Sequence, residues 1–190
     1  MKIIITGSAG FIGYHLCKSL LMDNYEIHGI DSINDYYDQN LKYNRLEKLK
    51  SYDNFNFSKL DISDYESLNK IYHSYDPQKV VNLAAQAGVR YSLINPQAYL
   101  SSNLIGFFNI IELCRKYNVE GLIYASSSSV YGSNKKIPFS IEDTINNPIS
   151  LYAATKSSNE LIAKSYSYLH DLNTTGLRYF TVYGPWGRPD

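Results

Sequence analysis

A doubly wound α/β fold on a parallel sheet follows from three features of the sequence. Short β-branched or apolar runs alternate with longer segments of helical period, a glycine-spaced turn joins the first run to the first helix, and the composition is that of an ordinary globular chain. The strand candidates are Lys2–Thr6, Glu26–Ile30, Phe55–Lys59, Val80–Ala84, Gly121–Ser126 and Gly176–Tyr179. Between them lie helix candidates at Gly10–Met22, Tyr65–Ser74, Pro96–Tyr117 and Leu151–Leu169. Parallel strands need long crossovers between them, and helices of this length supply them.

Taken in order, Lys2–Thr6 is an isoleucine run that ends at Gly7 and is followed by the apolar helix that Gly10 opens. After the second strand, Asn40–Ser51 reads as an inserted helix. Asp64 and Asn95 stand where N-caps belong, and Pro96 occupies a first helical position, where its missing N–H is harmless. Gly132–Ser150 is rich in Pro, Asn, Ser and charge and has no sustained apolar period. It reads as a loop, either ordered beside the functional site or simply on the surface. A βαβ series with a glycine turn after its first strand is a Rossmann-type sheet.

At 190 residues the chain fits one domain, residues 1–190, able to bury its own core without metals or disulfides. No metal site is expected. The 18 basic residues balance the 18 acidic ones, so no net field draws in nucleic acid or anionic lipid, and neither is expected as a partner. Cys17 and Cys114 lie in apolar helical segments and read as buried, reduced thiols. Met1-Lys2 runs directly into a strand, with no basic, apolar and cleavage regions of a secretory signal, and no long apolar span occurs, so the cytoplasm is the expected location.

Gly7, Gly10 and Gly13 have the spacing G-x-x-G-x-x-G between strand and helix. The first glycine permits the sharp turn, the second lets a pyrophosphate approach the backbone, and the third lets helix and strand pack closely. Phosphate would rest on the N–H groups and positive end of the helix that begins near Phe11 and Ile12. Asp31 follows the second strand and can accept bonds from the adenosine ribose hydroxyls of NAD, while repelling the extra phosphate of NADP. Asp61 and Ile62, after the third strand, would flank the adenine. The structural alternatives are a glycine turn chosen for packing, a surface Asp31, and Asp61 as a cap or turn residue.

Tyr152 and Lys156 are four residues apart, so a helix sets both on one face. An ammonium near a phenol favours the phenolate and fits it for proton exchange near neutral pH. The fifth strand runs into Ser126-Ser127-Ser128-Ser129, at the strand end where such sheets bind ligands, and these hydroxyls can donate to a reacting oxygen. Each feature also has an ordinary reading, a helix surface for the pair and a polar strand end for the serines.

Together these residues resemble the extended short-chain dehydrogenase/reductase superfamily and, within it, the nucleotide-sugar epimerases. The likeness runs along the chain through Thr6–Gly13, Asp31, Ala84-Ala85-Gln86-Ala87-Gly88-Val89-Arg90, Ser126–Gly132, the Tyr152/Lys156 pair and Leu177–Asp190. It is nearest to UDP-glucuronate 4-epimerases. The resemblance implies Tyr152 as acid/base, Lys156 as its electrostatic partner and ribose ligand, and Ser127, or an adjacent serine, as the hydroxyl that bonds the reacting oxygen. It further implies NAD contacts from Leu83, Ala84, Ala85, Gln86, Asn103 and Tyr179. On the substrate side it implies Ser128 and Ser129, with Thr181 and Arg188 toward the glucuronate carboxylate, which an arginine holds through two parallel bonds. Arg90 and Ser92 are further substrate-side candidates, with surface ion pairing and helix capping as their structural alternatives.

The reaction implied is reversible inversion at the sugar's C4 through transient oxidation by NAD, in the service of polysaccharide biosynthesis. Family members continue for roughly one more small domain beyond Asp190, so the chain reads as an N-terminal fragment with the C-terminal substrate-binding lobe largely absent, weakly active or inactive by itself. A UDP-hexose 4-epimerase, a nucleotide-sugar 4,6-dehydratase and a noncatalytic NAD-binding remnant are the alternatives. The dehydratase chemistry uses an acidic pair beside the catalytic hydroxyl, where this chain has Ser128 and Ser129. A homodimer through Pro96–Tyr117 and Leu151–Leu169 is a further implication of the resemblance.

Overall fold

A computed structural model of the protein describes residues 1–187. Six strands form one sheet: β1 (Lys2–Thr6), β2 (Glu26–Asp31), β3 (Phe55–Lys59), β4 (Lys79–Asn82), β5 (Gly121–Ser127) and β6 (Thr174–Tyr179). Their spatial order is β3-β2-β1-β4-β5-β6, and every neighbouring pair is parallel. The order reverses direction between β1 and β4, and a sheet of this kind opens a crevice at that point, outside the carboxyl ends of its strands.

The helices are α1 (Phe11–Met22), α2 (Gln39–Lys50), α3 (Tyr65–Tyr75), α4 (Pro96–Tyr99), α5 (Phe107–Lys116) and α6 (Leu151–His170). Asp64, Asn95 and Ser150 cap α3, α4 and α6 with side-chain oxygens. Strand β1 is buried on both faces, as a central parallel strand must be. Ile3 and Ile5 join Tyr14, Cys17 and Leu21 of α1 and Leu46 and Leu49 of α2 on one side, while Ile4 joins Leu68 and Tyr72 of α3, Phe107 and Ile110 of α5 and Ala163 of α6 on the other. Each such aliphatic side chain contributes roughly 1.5–3 kcal/mol when fully buried. Both cysteines are buried and unpaired.

Most element ends shift by one or two residues from the sequence reading, and two departures bear on the site. Strand β4 ends at Asn82 rather than at Ala84, because the chain parts from β1 where Gly7 turns away; Leu83 N still reaches Thr6 O at 3.2 Å, but Ala84 N is taken by the Thr6 hydroxyl at 3.1 Å. The helix expected over Pro96–Tyr117 is interrupted by a π-helical stretch, Leu100–Gly106, between α4 and α5. Ile62 of the opposite loop packs on Gly106, where a Cβ would stand 2.5 Å from its Cγ1. Gly132–Ser150 contains no helix or strand of its own. Among the described residues no helix is long and apolar enough to cross a membrane.

Candidate functional site

The cleft begins at the glycine turn. Gly7 has φ +69°, in the left-handed region, and a Cβ at Gly13 would stand 2.0 Å from Gly7 O, so neither position admits a side chain. Gly10 N donates to Gly7 O at 3.0 Å, which closes the turn. Gly10 also begins α1 without a side-chain cap, and Gly10, Phe11, Ile12 and Gly13 line a cleft of about 710 Å³. An uncapped helix start at the positive end of the helix dipole is a seat for an anion.

Asp31 ends β2 and is 9% exposed. Its Oδ2 accepts from Ala9 N at 3.0 Å and its Oδ1 from Ile33 N at 2.9 Å. Burial raises its pKa, against the opposing pull of the Ile33 and Ala9 amides and of Lys42 and Arg45. A carboxylate oxygen has about two acceptor directions, so each retains capacity for one more donor. Asp31, Asp61, Ile62, Ala84 and Ala85 line a side pocket of about 60 Å³ that shares Gly7 with the main cleft. Asp61 is at the same time a turn residue, accepting from Ser63 N at 2.9 Å and the Ser63 hydroxyl at 2.8 Å.

Opposite the glycine turn, strand alternation separates Ser126 from Ser127 at the end of β5, and Ser128 and Ser129 follow in a single 3-10 turn. Ser126 turns away and donates to Glu160 Oε1 on α6, whereas Ser127, Ser128 and Ser129 line the cleft. Ser127 Oγ accepts from Ser129 N at 3.1 Å, which leaves its proton to donate elsewhere. Tyr152, in the first turn of α6, lines the same cleft, with its ring 6.1 Å edge-on from Tyr99. Lys156, one turn later, is 3% exposed, and its Nζ donates to Ala125 O at 2.9 Å, behind the serine row. Burial lowers its pKa to about 8.

Leu83, Tyr179 and Thr181 also line the main cleft, and burial raises the pKa of the Tyr179 hydroxyl. Other candidates are not in its wall. Gln86 and Asn103 bond one another: Asn103 Oδ1 accepts from Gln86 N at 2.8 Å, and its Nδ2 donates to Gln86 O at 3.1 Å and to Thr155 Oγ1 at 3.1 Å. Asn103 sits in the π-helical stretch and ties the strand β4 extension to α6. Ser92 is buried and donates to Val89 O at 2.7 Å, and Arg90 is exposed. Arg188 lies outside the described residues.

Several cleft residues were not named as site candidates from the sequence, although Gly88, Val89 and Phe180 lie in its quoted motifs. Tyr36, Tyr37, Gly88, Val89 and Phe180 line the cleft, and Tyr99 backs it by donating to Ala87 O at 2.9 Å and to Gly88 O. Burial pushes the Tyr99 hydroxyl to about 12, so it holds its proton as a fixed donor. Lys42 and Arg45, buried on α2, stand beside Asp31; Lys42 Nζ donates to Asn34 O at 2.7 Å and to Asn34 Oδ1, and burial lowers its pKa.

A family model described as GDP-mannose 4,6 dehydratase matches residues 4–189. Protein CapI of Staphylococcus aureus is 58% identical over 190 residues, all of this chain and 57% of that protein. A probable UDP-glucuronate 4-epimerase of Rhizobium meliloti is 46% identical, over all of this chain and 56% of that protein. The crystal structure of UDP-glucuronic acid 4-epimerase from Bacillus cereus, in complex with UDP-glucuronic acid and NAD, superposes with a TM-score of 0.92 at 37% identity, over all of this chain and 60% of that one. The chain thus spans about half the length of the curated relatives it matches, between 44% and 59%.

Proposed function

Because the chain belongs to the family described as GDP-mannose 4,6 dehydratase, we propose that residues 1–190 are the NAD-binding domain of a nucleotide-sugar 4-epimerase, and that its sugar is UDP-glucuronate. The observation that carries this reading is one cleft lined by the glycine turn, Ser127 and Tyr152, with an ammonium buried behind the serines. The residues present fit a dinucleotide. Side chains at Gly7 and Gly13 would collide with backbone, and the Asp31 oxygens retain capacity for two ribose hydroxyls.

NAD, when bound, supplies a reversible acceptor and donor of hydride. The rest of the chemistry falls to the chain. Tyr152 Oη takes the proton of the C4 hydroxyl and later returns it, and Ser127 Oγ donates to the same oxygen as it becomes a carbonyl. Lys156, with its pKa near 8, carries substantial positive charge at neutral pH and favours the Tyr152 phenolate. Thr181 and Arg188 take the sugar carboxylate, and Ser128 and Ser129 line the sugar's path. In this reading the protein acts in the cytoplasm in polysaccharide biosynthesis, as a homodimer through α5 and α6, whose Phe108 and Leu161 are exposed.

A 4,6-dehydratase would need a carboxylate acid and base beside the hydroxyl. Among the described residues none that lines the cleft is acidic, so elimination is disfavoured. The decisive assay offers UDP-glucuronate and catalytic NAD to the purified protein and follows the C4-inverted sugar chromatographically. The reading expects that product, a loss of about 100-fold or more in Tyr152→Phe, and stronger competition from UDP-glucuronate than from UDP-galactose. Preference for UDP-galactose would assign a neutral hexose instead, and NAD binding with no turnover would make the chain a noncatalytic binder.

A further inference from the structure

Arg45 is fully buried on the inward face of α2, beside Lys42, Leu46 and Leu49, and it reaches both sides of the cleft. Its Nη1 donates to Ala9 O in the glycine turn at 2.9 Å and to the Tyr37 hydroxyl at 2.7 Å. Its Nη2 donates to Trp186 O at 2.6 Å, with Gly187 O at 3.4 Å. Ala9 is held from its other end as well, since its N–H is the one that Asp31 Oδ2 accepts. A continuous line of bonds therefore runs from the Asp31 carboxylate through Ala9 and Arg45 to Trp186.

The far end of that line is a turn. Gly187 N donates to Gly184 O at 3.1 Å, and the turn lies in sequence between Thr181 and Arg188. It docks on α1 and α2 through His15 Nε2 and Pro185 O at 2.8 Å, with the Trp186 ring 5.1 Å from Lys48 Nζ and 6.0 Å from the Tyr14 ring. A purely structural position beside Leu46 and Leu49 would be served as well or better by an apolar side chain, because burying a cation costs several kcal/mol. Arg45 Nε adds to that cost, being buried without a hydrogen-bond partner. Its planar fork, with donors aimed in fixed directions, is what lets one residue hold two separate carbonyls, which a lysine ammonium on a single flexible stem cannot reproduce.

We propose that Arg45 is a positioning residue that couples the two sides of the site, so that a dinucleotide seated on the glycine turn fixes the Gly184–Gly187 turn and, with it, the segment between Thr181 and Arg188. The inference rests on the reading of the glycine turn as an NAD seat. It adds that cofactor occupancy prepares the sugar side before substrate arrives, a coupling that by linkage works in both directions.

Trp186 is the sole tryptophan, so its emission reports on the turn alone. The experiment measures acrylamide quenching of that emission in the purified protein, with and without saturating NAD, while calorimetry follows NAD binding directly. The expected result is that NAD lowers the quenching constant by about twofold. Arg45→Met and Arg45→Lys abolish that NAD-dependent change while NAD affinity falls by less than about tenfold. His15→Ala, which removes the contact to Pro185 O but leaves the Arg45 bonds to Ala9 O and Trp186 O in place, raises quenching in the absence of NAD but keeps the NAD-dependent decrease. Should Arg45→Met fail to fold by circular dichroism, Arg45→Lys and His15→Ala decide the matter. An Arg45 variant that retains the full NAD-dependent change overturns the coupling, as does a wild-type protein that binds NAD with no change in Trp186. Absence of NAD binding in wild-type calorimetry overturns the cofactor reading itself, and the coupling with it.

Discussion

The two walls of the cleft are built in different ways. On the glycine side the loop is set by backbone: Ser8 and Ala9 have no solvent exposure, Gly7 and Gly13 leave no room for a Cβ, and Asp31 and Arg45 hold Ala9 from both ends. On the serine side the wall is made of side chains, and its far edge is open, with Phe180 at 57% and Tyr183 at 91% exposure. The glycine wall should therefore fail abruptly when space is filled, because close-packed backbone has nowhere to move. The serine wall should lose function by degrees, as single donors are removed.

The largest effect that would test this contrast is Gly13→Val. It is expected to cost about 4 kcal/mol or more and to abolish NAD binding, read by urea denaturation and calorimetry. Near-normal affinity would mean that the turn is softer than its geometry implies. Glu160→Gln probes the other wall, where Arg178 Nη2 meets Glu160 Oε2 at 2.8 Å and both side chains are 16% exposed. Removing one partner of such a sheltered pair is expected to cost about 3 kcal/mol. Hydrogen exchange should then loosen β6 and the end of β5 first, leaving the glycine turn protected.

Lys156→Met reverses the sign. The Lys156 pKa is lowered from 10.5 to about 8, so between those values the unfolded chain binds more protons than the folded one, and wild-type stability rises with pH across that window. Below pH 8 the folded protein carries the full cost of a buried ammonium. The Met variant is therefore expected to be more stable than wild type at pH 7 by about 2 kcal/mol, after allowing for the unpaired Ala125 carbonyl, and to lose that advantage by pH 10.5. Melting curves at several pH values check this; a gain that does not change with pH would contradict it. The smallest effect is expected at Thr181→Ala, an exposed residue whose loss should change stability by less than about 0.5 kcal/mol. The same substitution should weaken UDP-glucuronate binding by about fivefold to tenfold.

Much of the fold was legible because its signals are local. The isoleucine run of β1, the glycine spacing and the Asp64, Asn95 and Pro96 caps each dictate their own geometry. The π-helical stretch was not legible, since widening a turn leaves the apolar period of Pro96–Tyr117 nearly intact. Within the site, the sequence identified what lines the cleft better than what braces it. Asn103 reads as an NAD contact and Ser92 as a substrate-side residue or a helix cap; their side chains bond Gln86, Thr155 and Val89. Tyr36 and Tyr37 carried no signal among 19 tyrosines, and Phe180, though inside the Leu177–Asp190 likeness, was not singled out. Lys42 and Arg45 did carry one: with Leu46 and Leu49 they occupy the buried positions of α2 at helical spacing, and a cation on a core face marks a committed partner.

The central claim is that backbone amides of the glycine turn, together with Asp31, make a seat for NAD. Calorimetric titration of the purified protein with NAD and then NADP tests it most directly. One NAD is expected to bind per chain, with NADP weaker by about 30-fold or more because its extra phosphate meets the Asp31 carboxylate. No heat with NAD, or equal affinity for the two dinucleotides, would contradict the account.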